Sequence, residues 1–342
     1  MRPLTFTLAH PDPLDVLTST APVVQASASV RLDAAAVQRY AQSAAAARVD
    51  APQMEEALHC TFLPPRRFAN YLLVLEALNF CFWDDEPRWR ITAGSVGYDG
   101  YWALAAALRR ALREDAIPLW DAHWMAQVTE AELARVLRGE GRPIPLLAAR
   151  AAHVREAGEA LLARWDGDFS NVVIASGGEA VTLVNRIAAE FPSFRDKAIW
   201  QNPATGRRQP VKFYKRAQIC AADLARLLPE DPLGRLTGLC HLTAFADYKV
   251  PQVLRKLGIL VYSQDLATRV DALQELPAGS PEDVAIRAAT LWGCEWIARA
   301  LTVHPAAGSP AVTAGDVDYR LWLAGQDKTG LRPYHRTRTI YY

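Results

Sequence analysis

The spacing of apolar and polar residues predicts a chain made mostly of helices. The clearest pattern is SPEDVAIRAATLWGCEWIARAL, where Ser280 is a typical N-cap, Pro281 suits the first helical position and Asp283 completes the start signal. Positions three and four residues apart then place one set of side chains on a single helix face: Val284, Ala288, Leu291, Glu295 and Ala298. The acid on this apolar face is interpreted as a paired, structural carboxylate, with a role in a site as the alternative.

Two other segments carry helix start signals. Asp33 precedes the alanine-rich residues 34–49, a composition that favours helix. Thr129 and Glu132 have the spacing of a capping box, and the helix that they open is expected to close at Gly139.

Strand patterns are few and short. Residues 88–102 and 198–214 each place apolar–polar alternation around a turn that contains glycine, which predicts two small hairpins. Residues 228–238 and 303–316 read as surface loops. The first 30 residues contain four prolines and are expected to form an irregular lead. The prediction is therefore a mainly α protein, with one helical domain over 31–342 and small β-hairpin additions.

Composition and charge exclude several classes of protein. Of 342 residues, 51% are hydrophobic and 22% charged, which is typical of a folded globular chain rather than a disordered one. Lys and Arg number 38 against 37 Asp and Glu, and a net charge of +1 argues against coating duplex nucleic acid. The N-terminus has no continuous apolar run, and no window is long enough to span a membrane. A cytoplasmic protein without a membrane association is expected.

The familiar catalytic and metal-binding motifs are absent from the sequence. The five cysteines are far apart and form no C-x-x-C pair, which favours reduced, mostly buried thiols. The seven histidines are scattered, and no nucleophile elbow, phosphate-binding loop or H-E-x-x-H motif occurs. We therefore expect neither a metal nor another cofactor.

Four segments instead combine aromatic and charged residues. The first, LEALNFCFWDD, places Phe82 and Trp83 beside two aspartates. These rings are equally compatible with a core and with a stacking surface for a flat heterocycle. The second, FPSFRD, contains a helix boundary at Pro192 and the adjacent pair Arg195 and Asp196, whose alternative interpretation is an exposed ion pair.

The other two segments place cations and an acid in unusual surroundings. In KFYKRAQI, Lys215 and Arg216 suit a single phosphate group, with a solvated charge cluster as the alternative. In LTAFADYKVPQ, Asp247 lies in an apolar stretch beside Tyr248, and Pro251 disfavours helical geometry at Val250. A bend is expected here, and a partly desolvated carboxylate in it is a candidate for a functional acid.

Together these strings resemble the queuosine salvage protein family. The resemblance rests on LEALNFCFWDD, YDGYWALAAALRRAL, FPSFRD, FYKRAQI, FADYKVPQVLRKLGILVYS and PYHRTRTIYY, in this order from about residue 56 to the end. FYKRAQI and FADYKVPQ are long and unusual. The departures are modest: Asp84 and Asp85 stand where the family varies, and Lys249 stands where the family pattern leads us to expect arginine.

The resemblance implies both an activity and a fold. Members of the family are queuosine 5′-monophosphate N-glycosylases, which release the base queuine for reuse in tRNA modification. The implied fold is a helical core related to the helix-hairpin-helix DNA glycosylases. The glycine-rich hairpin of those enzymes is not visible in this sequence, and FADY stands in its place.

This substrate class fits the residue types of the four segments. A flat 7-deazaguanine base needs aromatic walls, which we expect from Phe82, Trp83, Tyr98 or Trp102. A 5′-phosphate needs cations or donors, and the candidates are Lys215, Arg216, His335 and Arg338. Further candidates for substrate contact are Tyr248, Asp318 and His59, the last with the competing interpretation of a core histidine.

The chemistry also predicts a carboxylate. Cleavage of an N-glycosidic bond passes through an oxocarbenium-like state, which an ionised aspartate stabilises while it activates water. Asp247 is the predicted catalytic residue, with Asp196 as the runner-up or as a group that recognises the base or its amine. The expected partners are the nucleotide substrate and the queuine product, without a stable nucleic-acid complex.

Two other functions stay open at this point. One is a helix-hairpin-helix protein that acts on nucleic acid as a glycosylase or binding module, against which the charge balance counts. The other is a non-catalytic protein that binds queuosine without releasing the base.

Overall fold

The computed structural model describes residues 4–44, 58–302 and 311–342. These parts of the chain contain fourteen α-helices, two 3₁₀ turns and six short strands. The helices are α1 (Val16–Ala26), α2 (Ala34–Ala44), α3 (Pro65–Ala77), α4 (Gly100–Arg113), α5 (Ala122–Gln127), α6 (Glu130–Val136), α7 (Leu147–Arg164), α8 (Phe169–Ala175), α9 (Ala180–Glu190), α10 (Lys215–Leu227), α11 (Lys249–Lys256), α12 (Gln264–Asp271), α13 (Pro281–Thr302) and α14 (Ala314–Ala324). The prediction of a mainly helical protein is confirmed.

The strands form three antiparallel pairs. They are β1 (Val30–Leu32), β2 (Arg90–Ala93), β3 (Val96–Asp99), β4 (Lys197–Gln201), β5 (Arg208–Lys212) and β6 (Leu260–Tyr262). The pairs β2–β3 and β4–β5 are the two predicted hairpins. The pair β1–β6, in which Arg31 lies opposite Val261, joins segments that are distant in sequence, and the sequence analysis missed it.

The described chain divides into two compact units, and each is treated by itself below. The first consists of residues 4–44, 196–215, 240–302 and 311–338, and the second of residues 58–195, 216–239 and 339–342. The predicted domain boundaries stay a prediction.

Helix α13 is the centre of the first unit. It contacts α1, α2, α11 and α14, and its side chains are buried almost without interruption from Asp283 to Leu301. The Ser280 hydroxyl accepts the Asp283 N–H, as the start signal predicts. Glu295 is paired with Arg299 at 2.8 Å and with His10 at 3.3 Å, so its interpretation as a paired carboxylate is confirmed.

The expectation of an irregular lead is wrong for residues 16–26, which form α1. This helix packs on α13 and buries Val16, Leu17 and Val23, and Pro22 is accommodated inside it. Apolar burial against a long central helix outweighs the local cost of the proline. The preceding segment has no regular structure, but the ring of Phe6 packs 5.1 Å from that of Trp292.

In the second unit, helix α7 packs against α5, α3 and α6. Gly158 of α7 permits the close approach of α5, since a Cβ at this position would lie 2.3 Å from the backbone nitrogen of Ala126. The capping box of Thr129 and Glu132 is confirmed at the start of α6. That helix ends at Val136, earlier than the expected Gly139.

Three other expectations have different outcomes. The boundary at Pro192 is confirmed, because α9 ends at Glu190 and a 3₁₀ turn follows. Residues 228–238 lie between regular elements, as predicted, whereas 303–310 of the other predicted loop lie outside the described residues. Val250 lies inside α11, which corrects the expectation for this residue: Pro251 falls in the first turn, where a proline lacks only a donor that the helix leaves unused.

No described helix is long and apolar enough to cross a membrane. Four cysteines are buried, Cys240 is exposed and all five are free thiols. Within the described residues, no group of three or more His, Cys, Asp or Glu side chains could hold a metal ion.

Candidate active site

Asp247 lies in the bend that leads into α11, in the first unit. Its Oδ1 accepts the backbone N–H groups of Lys249 and Val250, at 2.8 and 2.9 Å, and so caps the first turn of the helix. The second oxygen, Oδ2, accepts no hydrogen bond from any residue in the described ranges. The local fold therefore fixes the carboxylate by one oxygen and leaves the other available.

Two opposite effects act on the pKa of the Asp247 carboxyl group. The side chain is 8% exposed, and burial raises the pKa of its carboxyl group above 3.8. The ammonium groups of Lys215 and Lys249 and the two backbone N–H groups lower the pKa and so limit this rise. The cation of Lys215 is thus close enough to act on the Asp247 carboxylate.

A tight turn places Lys215 at the start of α10. The preceding Tyr214 has a left-handed backbone with φ of 51°, and the N–H of Lys215 donates to Asp196 Oδ2 at 3.1 Å. The N–H groups of Phe213 and Tyr214 donate to the backbone carbonyl of Asp196, at 3.0 and 3.2 Å. Three consecutive N–H groups therefore tie this turn to one residue, and Lys215 is 5% exposed.

The carboxylate of Asp196 is fully engaged. Arg287 of α13 donates to both of its oxygens, at 2.8 and 2.6 Å, and the N–H of Lys215 adds a third bond. The Asp196 and Arg287 side chains are 2% and 4% exposed. The guanidinium also donates to the carbonyl of Ala246 at 3.1 Å and lies 3.9 Å from the ring centroid of Phe213.

Of the other predicted residues of the first unit, two lie at the bend that contains Asp247 and one is paired on the surface. Asp318 of α14 accepts the N–H of Phe245 at 2.9 Å, two residues before Asp247. Tyr248 packs with its ring centroid 4.8 Å from that of Tyr334. Arg338, by contrast, is exposed and forms an ion pair with Glu275 at 3.1 Å.

The predicted aromatic residues Phe82 and Trp83 follow α3 in the second unit, and both are buried. The segment that carries them is held by two buried arginines. Arg150 donates to the carbonyls of Leu78, Phe80 and Cys81, and Arg216 donates to those of Glu76, Ala77 and Ser193. Arg216, which the sequence suggested as a phosphate ligand, therefore supports the aromatic segment.

The remaining predicted aromatic residues lie near the start of α4. Tyr98 is half-buried on β3 opposite Ile91, and Trp102 is half-buried in the first turn of the helix. Gly100 begins α4 with a φ of 58°, and a Cβ there would lie 4.0 Å from Cβ of Phe82. The ring of His59 is 6.2 Å from that of Trp102. Phe82 is therefore a neighbour of Gly100, and His59 of Trp102, at the start of α4.

Three buried histidines are expected to make the protein sensitive to acid. Burial lowers the pKa of His59 to about 4; burial and neighbouring arginines lower those of His153 and His335 to about 3. The unfolded chain therefore binds more protons below pH ~6.5, and each histidine removes about 1.4 kcal/mol of unfolding free energy per pH unit until its folded pKa is reached.

Urea unfolding at several pH values between about 7.5 and 4.5 measures this slope. His153→Leu should reduce this slope by the contribution of one histidine, about 1.4 kcal/mol per pH unit. An unchanged slope in His153→Leu would contradict the assignment of a neutral, buried imidazole.

The sequence analysis missed two residues of this arrangement. Arg287 lies within the predicted helix 280–301 but was not singled out, and Arg150 carried no signal at all. Their long-range partners reveal them: Arg287 binds Asp196, and Arg150 binds carbonyls about 70 positions away in sequence. The sequence signal that could have identified Arg287 is an arginine within an otherwise apolar stretch of a predicted helix.

Comparisons with known proteins agree with the sequence strings. The family described as queuosine salvage protein matches residues 59–342. A Sphaerobacter thermophilus protein named queuosine 5′-phosphate N-glycosylase/hydrolase is 48% identical over 332 residues, which cover 97% of this chain and 98% of the relative. Proteins of the same name from Mus musculus and Bos taurus are 34% and 35% identical, over 80% of this chain and 81% of each relative.

Proposed function

This chain belongs to the queuosine salvage protein family, and we propose that it hydrolyses the N-glycosidic bond of queuosine 5′-monophosphate and releases queuine. The observation that carries the proposal is the carboxylate of Asp247, which is buried, fixed through Oδ1 and open at Oδ2. The names of the relatives supply the class of bond and the phosphorylated substrate.

Asp247 is the proposed catalytic residue. As the C1′–N9 bond of the substrate breaks, the base leaves with the bonding electrons and the sugar gains positive charge, which an ionised Oδ2 stabilises. The same oxygen accepts a proton from the water whose oxygen bonds to C1′. The departing base takes up a proton from solvent, and Asp247 then returns its own proton to solvent. Since a 7-deaza base has no N7 to protonate, the reaction depends strongly on this stabilisation of charge.

Asp196 is assigned a supporting role rather than a catalytic one. Its two oxygens already accept three hydrogen bonds, two of them from Arg287. Oxygens that already accept these bonds leave little room for a hydrogen bond from an attacking water. The alternative of base or amine recognition by Asp196 is disfavoured for the same reason.

Among the four groups predicted to bind the phosphate, Lys215 fits a functional cation best. Arg216 donates to backbone carbonyls, Arg338 is paired with Glu275, and burial beside Arg287 keeps the imidazole of His335 neutral near neutral pH. We place Lys215 beside the reacting carboxylate. The base-stacking role of the aromatic residues, the absence of a stable nucleic-acid complex and the relation to helix-hairpin-helix glycosylases stay predictions.

Chromatographic detection of free queuine tests the proposed function. The purified protein is incubated with queuosine 5′-monophosphate, and parallel reactions contain queuosine or guanosine monophosphate. We expect release from queuosine 5′-monophosphate and none from guanosine monophosphate. Binding of the nucleotide without release by folded protein would refute the hydrolase and favour the binding protein.

A second prediction concerns the acid limb of the kcat profile. Asp247 must be ionised to act, and the Lys215 cation lowers its pKa, so Lys215→Met should move the acid limb to higher pH. The other groups that lower the pKa of this carboxyl are the Lys249 ammonium and the backbone N–H groups of Lys249 and Val250, and all of them remain in the variant.

The matched control is Lys256→Met, since this exposed lysine donates to the carbonyl of Thr329. Its acid limb should coincide with that of the wild type. Superimposable profiles for Lys215→Met and Lys256→Met would show that Lys215 does not act on the ionisation of Asp247.

A further inference from the structure

One side chain of the first unit touches both segments that carry the proposed reacting groups. Arg287 contacts Asp196 through two hydrogen bonds and Ala246 through a third. Ala246 directly precedes Asp247, and Asp196 binds the backbone N–H of Lys215. A single guanidinium therefore connects the start of α10 to the bend that leads into α11.

The position of this guanidinium is closely defined. The fork of Arg287 meets the carboxylate of Asp196 with both nitrogens, and its plane lies 3.9 Å from the ring centroid of Phe213. Asp196 is in turn tied to residues 213–215 by its backbone carbonyl and its Oδ2. Because the Arg287 side chain extends from the long buried helix α13, its Cα is held in place as well.

The contribution of such a pair to stability does not explain its presence. Removing two charges from water is costly, and replacing a buried ion pair by apolar groups of similar volume is often neutral or stabilising. What the pair supplies is geometry, since a bidentate contact fixes both distance and orientation.

We propose that Arg287 is a positioning residue, which holds the Asp247 carboxylate at its working distance from Lys215 by joining Asp196 to the carbonyl of Ala246. The inference rests on the proposed function and adds a residue that acts through others. Loss of this connection allows the bend at Asp247 to shift relative to α10. A displacement of about 1 Å at a reacting group can lower a rate by ~10²-fold.

Lysine cannot replace arginine in this role. A lysine ammonium keeps the charge but lacks the planar fork, so it cannot bind both oxygens of Asp196 and the carbonyl of Ala246 in the same geometry. Arg287→Lys therefore separates position from charge. The double variant Asp196→Asn with Arg287→Met removes both charges together, so that no unpaired buried charge prevents folding.

The experiment measures kcat, KM and the acid limb for these two variants with queuosine 5′-monophosphate. We expect kcat to fall ~10²-fold in both variants while KM changes by less than about threefold, because binding is retained and the reacting geometry is lost. In Arg287→Lys the acid limb should move to higher pH, in the same direction as in Lys215→Met, because the Asp247 carboxylate is no longer held at its distance from the Lys215 cation.

Matched controls come from the same helix. Arg299 pairs with Glu295 on α13, so Arg299→Lys and the double variant Glu295→Gln with Arg299→Met repeat the changes at another ion pair. Their kcat and KM should equal those of the wild type. A similar fall in kcat in these controls would assign the effect to α13 as a whole and overturn the proposal.

The outcomes also separate this inference from the proposed function. If the wild type is active and kcat of either Arg287 variant lies within about threefold of the wild-type kcat, the positioning role alone is overturned. An equal fall in kcat with an increase in KM of about tenfold or more would mean that Arg287 serves binding, which also overturns it. A wild-type protein that binds but does not hydrolyse the nucleotide would reject the proposed function, and the inference with it.

Discussion

Asp247→Asn is expected to lower kcat by ~10⁴-fold or more and to leave nucleotide binding largely intact, because general-base help contributes roughly 10²–10⁴ and charge stabilisation roughly 10²–10³. The asparagine side-chain oxygen still accepts the N–H groups of Lys249 and Val250 that Oδ1 accepts in the native protein. The cap of α11 is therefore retained, and the variant removes only the negative charge and the open oxygen's basicity. Release of queuine under saturating nucleotide measures the loss.

The same substitution should not destabilise the fold. Burial raises the pKa of Asp247, so the ionised form is disfavoured in the folded protein relative to the unfolded chain. The resulting cost is absent below the unfolded pKa and grows as pH rises through the folded pKa. At neutral pH the neutral asparagine should give a melting temperature at or above that of the wild type. Undiminished kcat in Asp247→Asn would exclude this residue as the catalytic carboxylate.

Arg216→Met is expected to produce the largest loss of stability. Its guanidinium donates to the carbonyls of Glu76, Ala77 and Ser193 and lies 4.6 Å from the ring of Phe194. Hydrogen bonds from a charged group contribute roughly 1.5–3 kcal/mol each, and the carbonyl of Glu76 keeps the N–H of Asn79 as a donor, so we expect the free energy of unfolding to fall by about 3–5 kcal/mol. Urea unfolding measures this loss.

The control for this prediction lies in the same unit. Arg235 forms an exposed pair with Glu230 at 3.7 Å, and Arg235→Met should cost less than about 1 kcal/mol. Arg216→Lys keeps the positive charge and should retain the ratio of KM for queuosine to KM for its 5′-phosphate. A selective increase in KM for the phosphorylated substrate would instead restore Arg216 as a phosphate ligand.

The sequence predicts local features of this fold well. The start of α13 at Ser280, the capping box at Thr129 and the hairpin β4–β5 all depend on residues close in sequence, and all three are present. Helix α1 was missed because its stability depends on burial against α13, which no local pattern reports. The pair β1–β6 was missed for a similar reason, since its strands are separated by most of the chain.

The candidate site was predictable in part. Asp247 stood out as an acid in an apolar stretch, and its burial agrees with that interpretation. Lys215 and Arg216 are adjacent and chemically similar in sequence, yet one acts on the Asp247 carboxylate and the other supports backbone carbonyls. Neighbours in a helix point in directions about 100° apart, and only the tertiary fold decides what each one meets.

The most direct test of the account is the structure of the Asp247→Asn variant with queuosine 5′-monophosphate bound. We predict that the side chain of residue 247 lies within about 3.5 Å of C1′ or of a water aligned with it, on the side opposite the departing base. A complex that holds the intact nucleotide with C1′ beyond the reach of residue 247, even through one water, would contradict the assignment of Asp247.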